Sequence, residues 1–249
     1  MLGSNAITPA QCVPIWSRQV TPTSDARTFY DEVYYEEAEK KPSYTRHYQQ
    51  LARRLGIGTS DAVVDIACGT GEWLGVVHDI GAKVAGIDLS ERAINVARRS
   101  LPDADLRASG ATELPWGDDV FDLVTCLGSL EHFPDQAASL REIKRIAKPG
   151  GRVLILVPNA GFLTRRLRLF RGTEQRDIRE VVLPIAEWEA MFESADMKVV
   201  DRWKDLHILS ASWIKSGPVV MWPLRTLQAL ALTVWPLSWQ YQVYFLCRV

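Results

Sequence analysis

The sequence has little excess charge of either sign, which limits what the chain can bind. Its 29 Lys and Arg residues nearly balance 30 Asp and Glu residues, for a formal net charge of -1 over 249 residues. A dedicated nucleic-acid-binding protein normally carries a basic surface that neutralises phosphates. We therefore expect no nucleic-acid partner, and a ligand that is recognised by a local site.

Cysteine is also scarce, and its spacing excludes two common uses. The four cysteines are widely separated and form no C-x-x-C pair, which indicates neither a zinc site nor a disulfide framework. We predict no metal site. The first fourteen residues contain no basic cluster followed by an apolar run, so a secretory signal is not expected. Both observations favour a cytoplasmic protein.

Long apolar runs and linkers are missing as well. No Gly/Ser-rich or Pro-rich linker divides the chain, and 47% of its residues are hydrophobic, enough for a large core. The most apolar segment, 207–239, is interrupted by Pro218, Pro223 and Pro236. Its pieces are shorter than the roughly 20 apolar residues that cross a bilayer. We therefore predict one domain and no membrane span.

What the sequence does contain is a regular alternation of strand and helix patterns that begins at Ala62. Helical patterns start at Glu72, Ser90, Gln136 and Ile185. Such alternation is typical of an α/β fold in which a doubly wound, mostly parallel sheet has helices on both faces. Strands are predicted at 62–67, 83–88, 105–108, 121–127, 152–158, 197–203 and 240–248, with a turn at 148–151 before the fifth.

A glycine loop follows the first predicted strand. Gly69 and Gly71 allow positive φ and let a ligand approach the backbone closely. In open α/β sheets ligands bind at the carboxyl ends of the strands, which is where this loop lies. Asp88 ends the second strand, and its carboxylate can accept hydrogen bonds from two ribose hydroxyls. The pattern predicts a site for a cofactor that contains a nucleoside.

The glycine spacing narrows the choice of cofactor. A dinucleotide fingerprint requires glycine at position 74, where the chain has Leu74, and no G-K-[ST] sequence follows to form a phosphate loop. Asp65, just before the loop, adds negative charge that suits an ammonium or sulfonium group. A nicotinamide-dependent oxidoreductase remains the remote alternative.

Six motifs in order resemble those of class I S-adenosylmethionine-dependent methyltransferases, in the small-molecule branch that includes quinone-ring methyltransferases. The resemblance covers roughly 30–157, and implies a Rossmann-like sheet of seven strands with an antiparallel last strand and helical lid insertions. The motifs are Asp65 to Gly71, Gly86 to Ser90, Ala111 to Trp116, Phe121 to Val124, Leu130 to Phe133 and Lys148 to Gly151.

The resemblance also implies roles for individual residues. Asp88 is expected to bind ribose, Leu89 to pack on adenine, and Leu127 with Gly128 to border the sulfonium. Many members carry Asp where this chain has Gly110, so Ser109 or a backbone carbonyl would replace the usual contact to the adenine amino group. The predicted residues for binding S-adenosyl-L-methionine are Asp65, Ala67, Gly69, Thr70, Gly71, Asp88, Leu89, Gly110, Ala111 and Leu127.

The acceptor side is less defined by the sequence. If the acceptor is a hydroxyl, His132 is the predicted catalytic base, because it follows the fourth strand at the carboxyl edge. The alternative is a structural histidine at the start of a helix. His207 is a second candidate, as a substrate-binding residue. Tyr30 and Tyr34 belong to a predicted N-terminal helix that either closes over the site or docks by its aromatic face.

These assignments give an organisation of 1–50 as an N-terminal lid region, 51–158 as the cofactor-binding core, and 159–183 and 207–239 as acceptor-side insertions. The second insertion lacks Asp and Glu and contains four tryptophans. It either admits a hydrophobic or lipid-like small-molecule acceptor and rests on a membrane surface, or forms a helix pair covering the sheet. A cofactor-binding protein or a cyclase on the same fold, without methyl transfer, stays open.

Overall fold

A computed structural model describes residues 27–28, 46–166, 180–206 and 218–249. Tyr30, Tyr34 and His207 lie outside the described residues. Of the two predicted insertions, the described parts are 159–166, 180–183 and 218–239. None of the helices within the described ranges is long and apolar enough to cross a membrane.

Seven strands form one sheet in the order β3-β2-β1-β4-β5-β7-β6. Strand β7 is antiparallel to both of its neighbours, and the remaining pairs are parallel. This confirms the predicted α/β fold with its antiparallel last strand. The strands are β1 Ala62–Ile66, β2 Lys83–Asp88, β3 Asp105–Ala108, β4 Phe121–Leu127, β5 Ala147–Pro158, β6 Lys198–Lys204 and β7 Gln242–Arg248.

Helices cover both faces of the sheet, and their termini follow local rules. Ser90 caps its helix by accepting a hydrogen bond from the Ala93 N–H at 3.1 Å, as predicted. Gly81 ends the preceding helix in the left-handed conformation. The helices are α1 Arg46–Leu55, α2 Glu72–Ile80, α3 Glu91–Ser100, α4 Gln136–Ile146, α5 Leu163–Arg166, α6 Ile185–Ser194 and α7 Trp222–Val234.

The apolar core has two layers, one on each face of the sheet. On one face, α4 and α6 bury Leu140, Trp188 and Phe192 against the strands. On the other, α1, α2 and α3 bury a second set that includes Leu74 and Ile94. Each large side chain buried in this way contributes roughly 1.5 to 3 kcal/mol to folding, so the two layers fix the strand order and the position of the carboxyl edge.

Two predicted boundaries are wrong in detail. Strand β5 starts at Ala147, so the predicted turn at Lys148 to Gly151 lies within this strand. The register between β4 and β5 shifts between Phe121 and Leu123. This irregularity accommodates the residues of the turn without ending the strand. The last strand starts at Gln242 and not Gln240, because the Gln240 side chain is buried and donates to the Asp205 carbonyl oxygen at 2.9 Å.

Candidate active site

The glycine loop between β1 and α2 has the backbone conformation that its sequence predicts. Gly69 and Gly71 have φ of 54° and 81°, and Ala67 has φ of 63°, which is unusual for a residue with a Cβ. A Cβ at Gly71 would lie 3.1 Å from the Ala97 Cβ on α3. Strained backbone of this kind is concentrated at functional sites, and here it lies at the carboxyl end of β1.

The Asp88 carboxylate holds this loop in place. Its Oδ2 atom accepts a hydrogen bond from the Gly69 N–H at 2.9 Å, and Oδ1 accepts from the Ser90 N–H at 2.8 Å. A carboxylate has about four acceptor positions, so the side chain can accept more than these two hydrogen bonds, including one from a ligand hydroxyl. Asp88 therefore supports the loop in addition to the ribose-binding role predicted from the sequence.

Asp65 is a second buried carboxylate beside the same loop. Its Oδ1 atom lies 2.6 Å from the Thr125 hydroxyl on β4. Burial raises the pKa of Asp65 to about 7, the Thr125 hydrogen bond opposes this rise, and the charge of Asp88 adds to it. A buried carboxylate without a cationic partner is costly, so this position fits the positively charged group of a ligand.

The remaining predicted cofactor residues lie at the same edge. Leu89 and Ala111 are half-buried in the loops that follow β2 and β3. The Ser109 N–H donates to the Asp88 carbonyl oxygen at 3.0 Å, which joins these two loops. A Cβ at Gly110 would meet nothing within 4 Å, so the position leaves space where many family members carry Asp. Thr70 is half-buried in the glycine loop.

The end of β4 forms the next part of the edge. Leu127 is half-buried, and Gly128 has φ of 72° and donates its N–H to the Leu156 carbonyl oxygen at 3.0 Å. The nearest atom to a Cβ at Gly128 would be Nε2 of Gln242, at 3.7 Å. The start of β7 therefore borders the position that we predict to lie next to the sulfonium.

His132 lies where its predicted role requires, at the carboxyl end of β4. It is half-buried and ends a short 3-10 turn, Leu130–His132, that follows this strand. Its neighbour Glu131 is buried, and Oε2 of Glu131 has no hydrogen-bond partner within the described part of the chain. Burial raises the pKa of Glu131 to about 8, and nearby Glu180 adds to the rise, although a backbone hydrogen bond opposes it.

Sequence reasoning missed several side chains at this edge. His47 on α1 lies 2.8 Å from the Tyr244 hydroxyl and 3.7 Å from Oδ1 of the buried Asp205. These residues belong to no motif and are far apart in the chain, so only the fold brings them together. Thr125 offered a usable signal, because it is a polar residue within an apolar strand.

Three further residues have structural roles. Asp122 accepts from the Ala62 N–H at 2.9 Å and from the Lys148 ammonium at 2.8 Å, which joins β4 to the start of β1. Although partial burial opposes it, Lys148 holds the pKa of Asp122 below its usual range. Burial raises the thiol pKa of Cys68 and Cys126 well above the ordinary value, so both stay uncharged and act as packing residues.

Known proteins resemble this chain in sequence and in fold. The family model described as a methyltransferase domain matches residues 64–155. We refer to residues 64–155, which are similar to this family, as the methyltransferase domain. This match, with the motifs and the fold, confirms the predicted resemblance to class I S-adenosylmethionine-dependent methyltransferases. The methyltransferase domain contains the glycine loop, Asp65 and Asp88, and it ends within β5.

A curated relative and two solved structures extend the comparison. Demethylmenaquinone methyltransferase of Halalkalibacterium halodurans is 31% identical over 152 residues, which are 55% of this chain and 62% of that protein. The chain spans 52% of a second such enzyme, from Oceanobacillus iheyensis. The matched length is thus less than two thirds of these relatives.

The solved structures show the fold over most of the chain. One is a chain from the complex of the Haloferax volcanii Trm112 methyltransferase activator with a methyltransferase, with a TM-score of 0.68, 22% identity, and coverage of 89% of this chain and 96% of that one. Another is the Burkholderia thailandensis 1,6-didemethyltoxoflavin-N1-methyltransferase with bound S-adenosylhomocysteine, with a TM-score of 0.58, 18% identity, and coverage of 91% and 86%. Both likenesses extend beyond the methyltransferase domain.

Proposed function

We propose that this chain transfers a methyl group from S-adenosylmethionine to a small hydrophobic acceptor. The observation that carries the proposal is the pair of buried carboxylates, Asp65 and Asp88, on either side of a left-handed glycine loop. One suits a cationic group and the other suits vicinal hydroxyls, and the cofactor contains both. The family match over 64–155 supports this choice.

When bound, the cofactor supplies a methyl group made electrophilic by a sulfonium. The residues of the chain hold and orient the reactants. Asp65 would balance the positive charge of the cofactor, Asp88 would hold the ribose, and Leu89 would pack on the adenine. Leu127 and Gly128 would border the sulfonium. Positioning of donor and acceptor at near-attack distance in a dry site is the main source of rate acceleration in such displacements.

For a hydroxyl acceptor, we assign proton removal to His132. Its place in the turn after β4 puts it on the same edge as the glycine loop. A neutral imidazole has one ring nitrogen that can accept a proton, so it can serve as a general base.

A hydrophobic acceptor is supported by α7. Its apolar residues at 224, 227, 230 and 234 follow helical spacing and are 56% to 81% exposed, whereas Ala229 and Leu232 on the opposite side are buried. Among the described residues 218–239, the one full charge is Arg225. An amphipathic helix with tryptophan nearby and no acidic residue is typical of a segment that lies on an anionic membrane surface, where lipid-like acceptors are found.

Methyl transfer is tested with S-adenosylmethionine that carries a labelled methyl group. Acceptors are a demethylated quinol with a long isoprenoid chain, the same ring without the chain, and a small polar phenol. We expect labelled product and release of S-adenosylhomocysteine, with the long-chain acceptor preferred. If the protein binds the cofactor but transfers the label to none of these acceptors or to any fraction of cell metabolites, it binds the cofactor for a purpose other than methyl transfer.

Membrane contact is tested by cosedimentation with phosphatidylglycerol vesicles and with phosphatidylcholine vesicles. We expect binding to the anionic vesicles, and its loss in the double variant Leu227→Ser/Leu230→Ser. Val200→Ser is the matched control, because Val200 is an exposed apolar residue on β6, 49% accessible. Equal sedimentation of the double variant and the control would exclude α7 as the contact.

A further inference from the structure

A buried chain of three polar side chains joins α2 to β1 through β4. Trp73 on α2 donates its Nε1–H to the Thr125 hydroxyl at 3.0 Å, and the same hydroxyl lies 2.6 Å from Oδ1 of Asp65. Trp73, Thr125 and Asp65 are 2%, 0% and 3% exposed. Hydrogen bonds between fully buried side chains are strong and sensitive to the loss of a partner.

The chemistry of the three groups fixes the direction of this chain. An indole nitrogen can only donate, so the Thr125 oxygen must accept from Trp73. The single hydroxyl hydrogen is then available to Asp65 at 2.6 Å or to the Val64 carbonyl oxygen at 3.2 Å. The shorter contact is the one to the carboxylate. A hydrogen bond donated to a carboxylate favours its charged form.

We propose that Trp73 and Thr125 are positioning residues that keep Asp65 a correctly oriented, ionised carboxylate, ready to receive the cationic group of the cofactor. The inference rests on the proposed function and deepens it. Without a donated hydrogen bond, a carboxylate buried this deeply takes up a proton, and a neutral acid no longer attracts an ammonium or sulfonium group.

The groups around Asp65 make the effect dependent on pH in the physiological range. Asp88 at the end of β2 is the nearby negative charge, and it disfavours ionisation of Asp65. The thiols of Cys68 and Cys126 also face this carboxylate, and burial holds the pKa of both far above neutrality, so they stay uncharged. When Asp65 binds a proton, the Thr125 hydrogen can turn to the Val64 carbonyl oxygen. Cofactor affinity should therefore fall as the pH drops below about 7.

A first experiment examines the chain without any ligand. The protein has nine tryptophans, and ¹⁵N labelling of their indoles gives resolved signals, of which the Trp73 signal is the one lost in Trp73→Phe. We expect this signal to shift between pH 5.5 and 8.5 with a midpoint near 7, and to stay constant in Asp65→Asn. A Trp73 signal that is constant with pH and is also unchanged by Asp65→Asn would overturn the proposal, because Trp73 would then not sense the Asp65 carboxylate through Thr125.

A second experiment measures the affinity for S-adenosylhomocysteine by calorimetry between pH 6 and 8.5. In Thr125→Val we expect the loss of affinity on acidification to begin about one pH unit higher, with a roughly fivefold weaker affinity at pH 7 that recovers by pH 8.5. Thr125→Ser should restore the original profile. Ser139→Ala is the matched control, because this buried hydroxyl donates to the Asp135 carbonyl oxygen at 2.9 Å, on another helix.

A purely structural role for Thr125 would weaken binding equally at every pH, and that result would overturn the proposal. Absence of binding by the unmodified protein at any pH would instead refute the proposed function. The indole titration is independent of the ligand, so it still decides whether the chain controls Asp65.

Discussion

The cofactor side and the acceptor side of the carboxyl edge differ in how completely their buried polar groups are hydrogen-bonded. On the cofactor side, Asp88 accepts from two backbone N–H groups and Asp65 accepts from Thr125. On the acceptor side, Glu131 Oε2, Gln240 Oε1 and Trp222 Nε1 have no partner among the described residues. Within the described residues, the buried carboxylates of the first side are thus hydrogen-bonded to the fold, whereas these three atoms of the second side are not.

Two helices from the second half of the chain, α6 and α7, show a similar contrast in apolar packing. In α6, Trp188 and Phe192 are fully buried, and their rings lie 6.2 Å apart. In α7, most of the large apolar side chains face solvent. Both helices have similar apolar content, so composition alone does not decide which one forms part of the core.

The largest expected effect comes from truncating a side chain in each helix. Phe192→Ala should lower the free energy of unfolding by about 3 to 5 kcal/mol, because it leaves a cavity in the core. Leu227→Ala should change it by less than about 0.5 kcal/mol, because its side chain is already exposed. Urea denaturation measures both. Similar losses in the free energy of unfolding would show that α7 is packed against the protein as α6 is.

Glu131 offers a test through the pH dependence of stability. Its pKa is raised to about 8 in the folded state, so the folded protein holds this proton more tightly than the unfolded chain. The resulting stability is fully present below about pH 4 and is lost as the pH rises through 8. Glu131→Gln should remove that loss and gain roughly 3 kcal/mol over the original chain between pH 5 and pH 8.

The control for this prediction is Glu113→Gln, an exposed carboxylate whose replacement should leave the pH dependence unchanged. Thermal unfolding at pH 5, 6.5 and 8 compares the three proteins. If Glu131→Gln and the original chain lose stability in parallel as the pH rises, Glu131 is ionised in the folded protein. Its carboxylate would then be better hydrogen-bonded than the contacts described above indicate.

His132→Ala tests the chemistry of the acceptor side. For a hydroxyl acceptor we expect kcat to fall by a factor of the order of 10², with little change in cofactor affinity, because a general base contributes that much to the rate. His78→Ala, on the far turn of α2, is the control. Steady-state release of S-adenosylhomocysteine gives the rates. Nearly full turnover by His132→Ala would show that positioning alone suffices.

The smallest expected effect concerns the cofactor side. Asp88→Asn should weaken binding of S-adenosylhomocysteine by about tenfold or more, because the amide cannot accept all the hydrogen bonds that the carboxylate accepts. Asp79→Asn makes the same chemical change at an exposed position of α2. Calorimetry compares the two. If a folded Asp88→Asn protein binds with unchanged affinity, Asp88 supports the glycine loop but does not bind the ribose.

Much of the cofactor side was predictable, because each of its features is local in the sequence. The apolar runs of β1, β2 and β4 predict buried strands, and the glycines predict left-handed backbone, as found at Gly69 and Gly71. The partners of Asp88 and Asp65 were not predictable. They depend on which strands become neighbours and on how deeply each carboxylate is buried.

The acceptor side was less predictable for the same physical reason. In the sequence, Glu131 is the first residue of a Glu-His pair. The neighbouring residues do not indicate that its side chain is buried, with no partner for Oε2 among the described residues. The His47, Tyr244 and Asp205 contacts join α1 to two strands from the other end of the sequence. In α7, apolar spacing predicts an amphipathic helix but not which side faces the protein. The roles of Tyr30, Tyr34 and His207 stay predictions.

The position of β7 between β5 and β6 has a consequence for how the chain reaches its final state. In the part of the chain that the structure describes, β6 pairs with β7 alone, and β7 covers the outer edge of β5. While the ribosome is still synthesising the chain, β6 emerges with no sheet to join and β5 keeps open backbone groups. The last sheet pairings must therefore form after translation has passed residue 248, over long sequence separations that slow folding. During that interval the exposed edge of β5 is a site where chaperones could bind and where aggregation could begin.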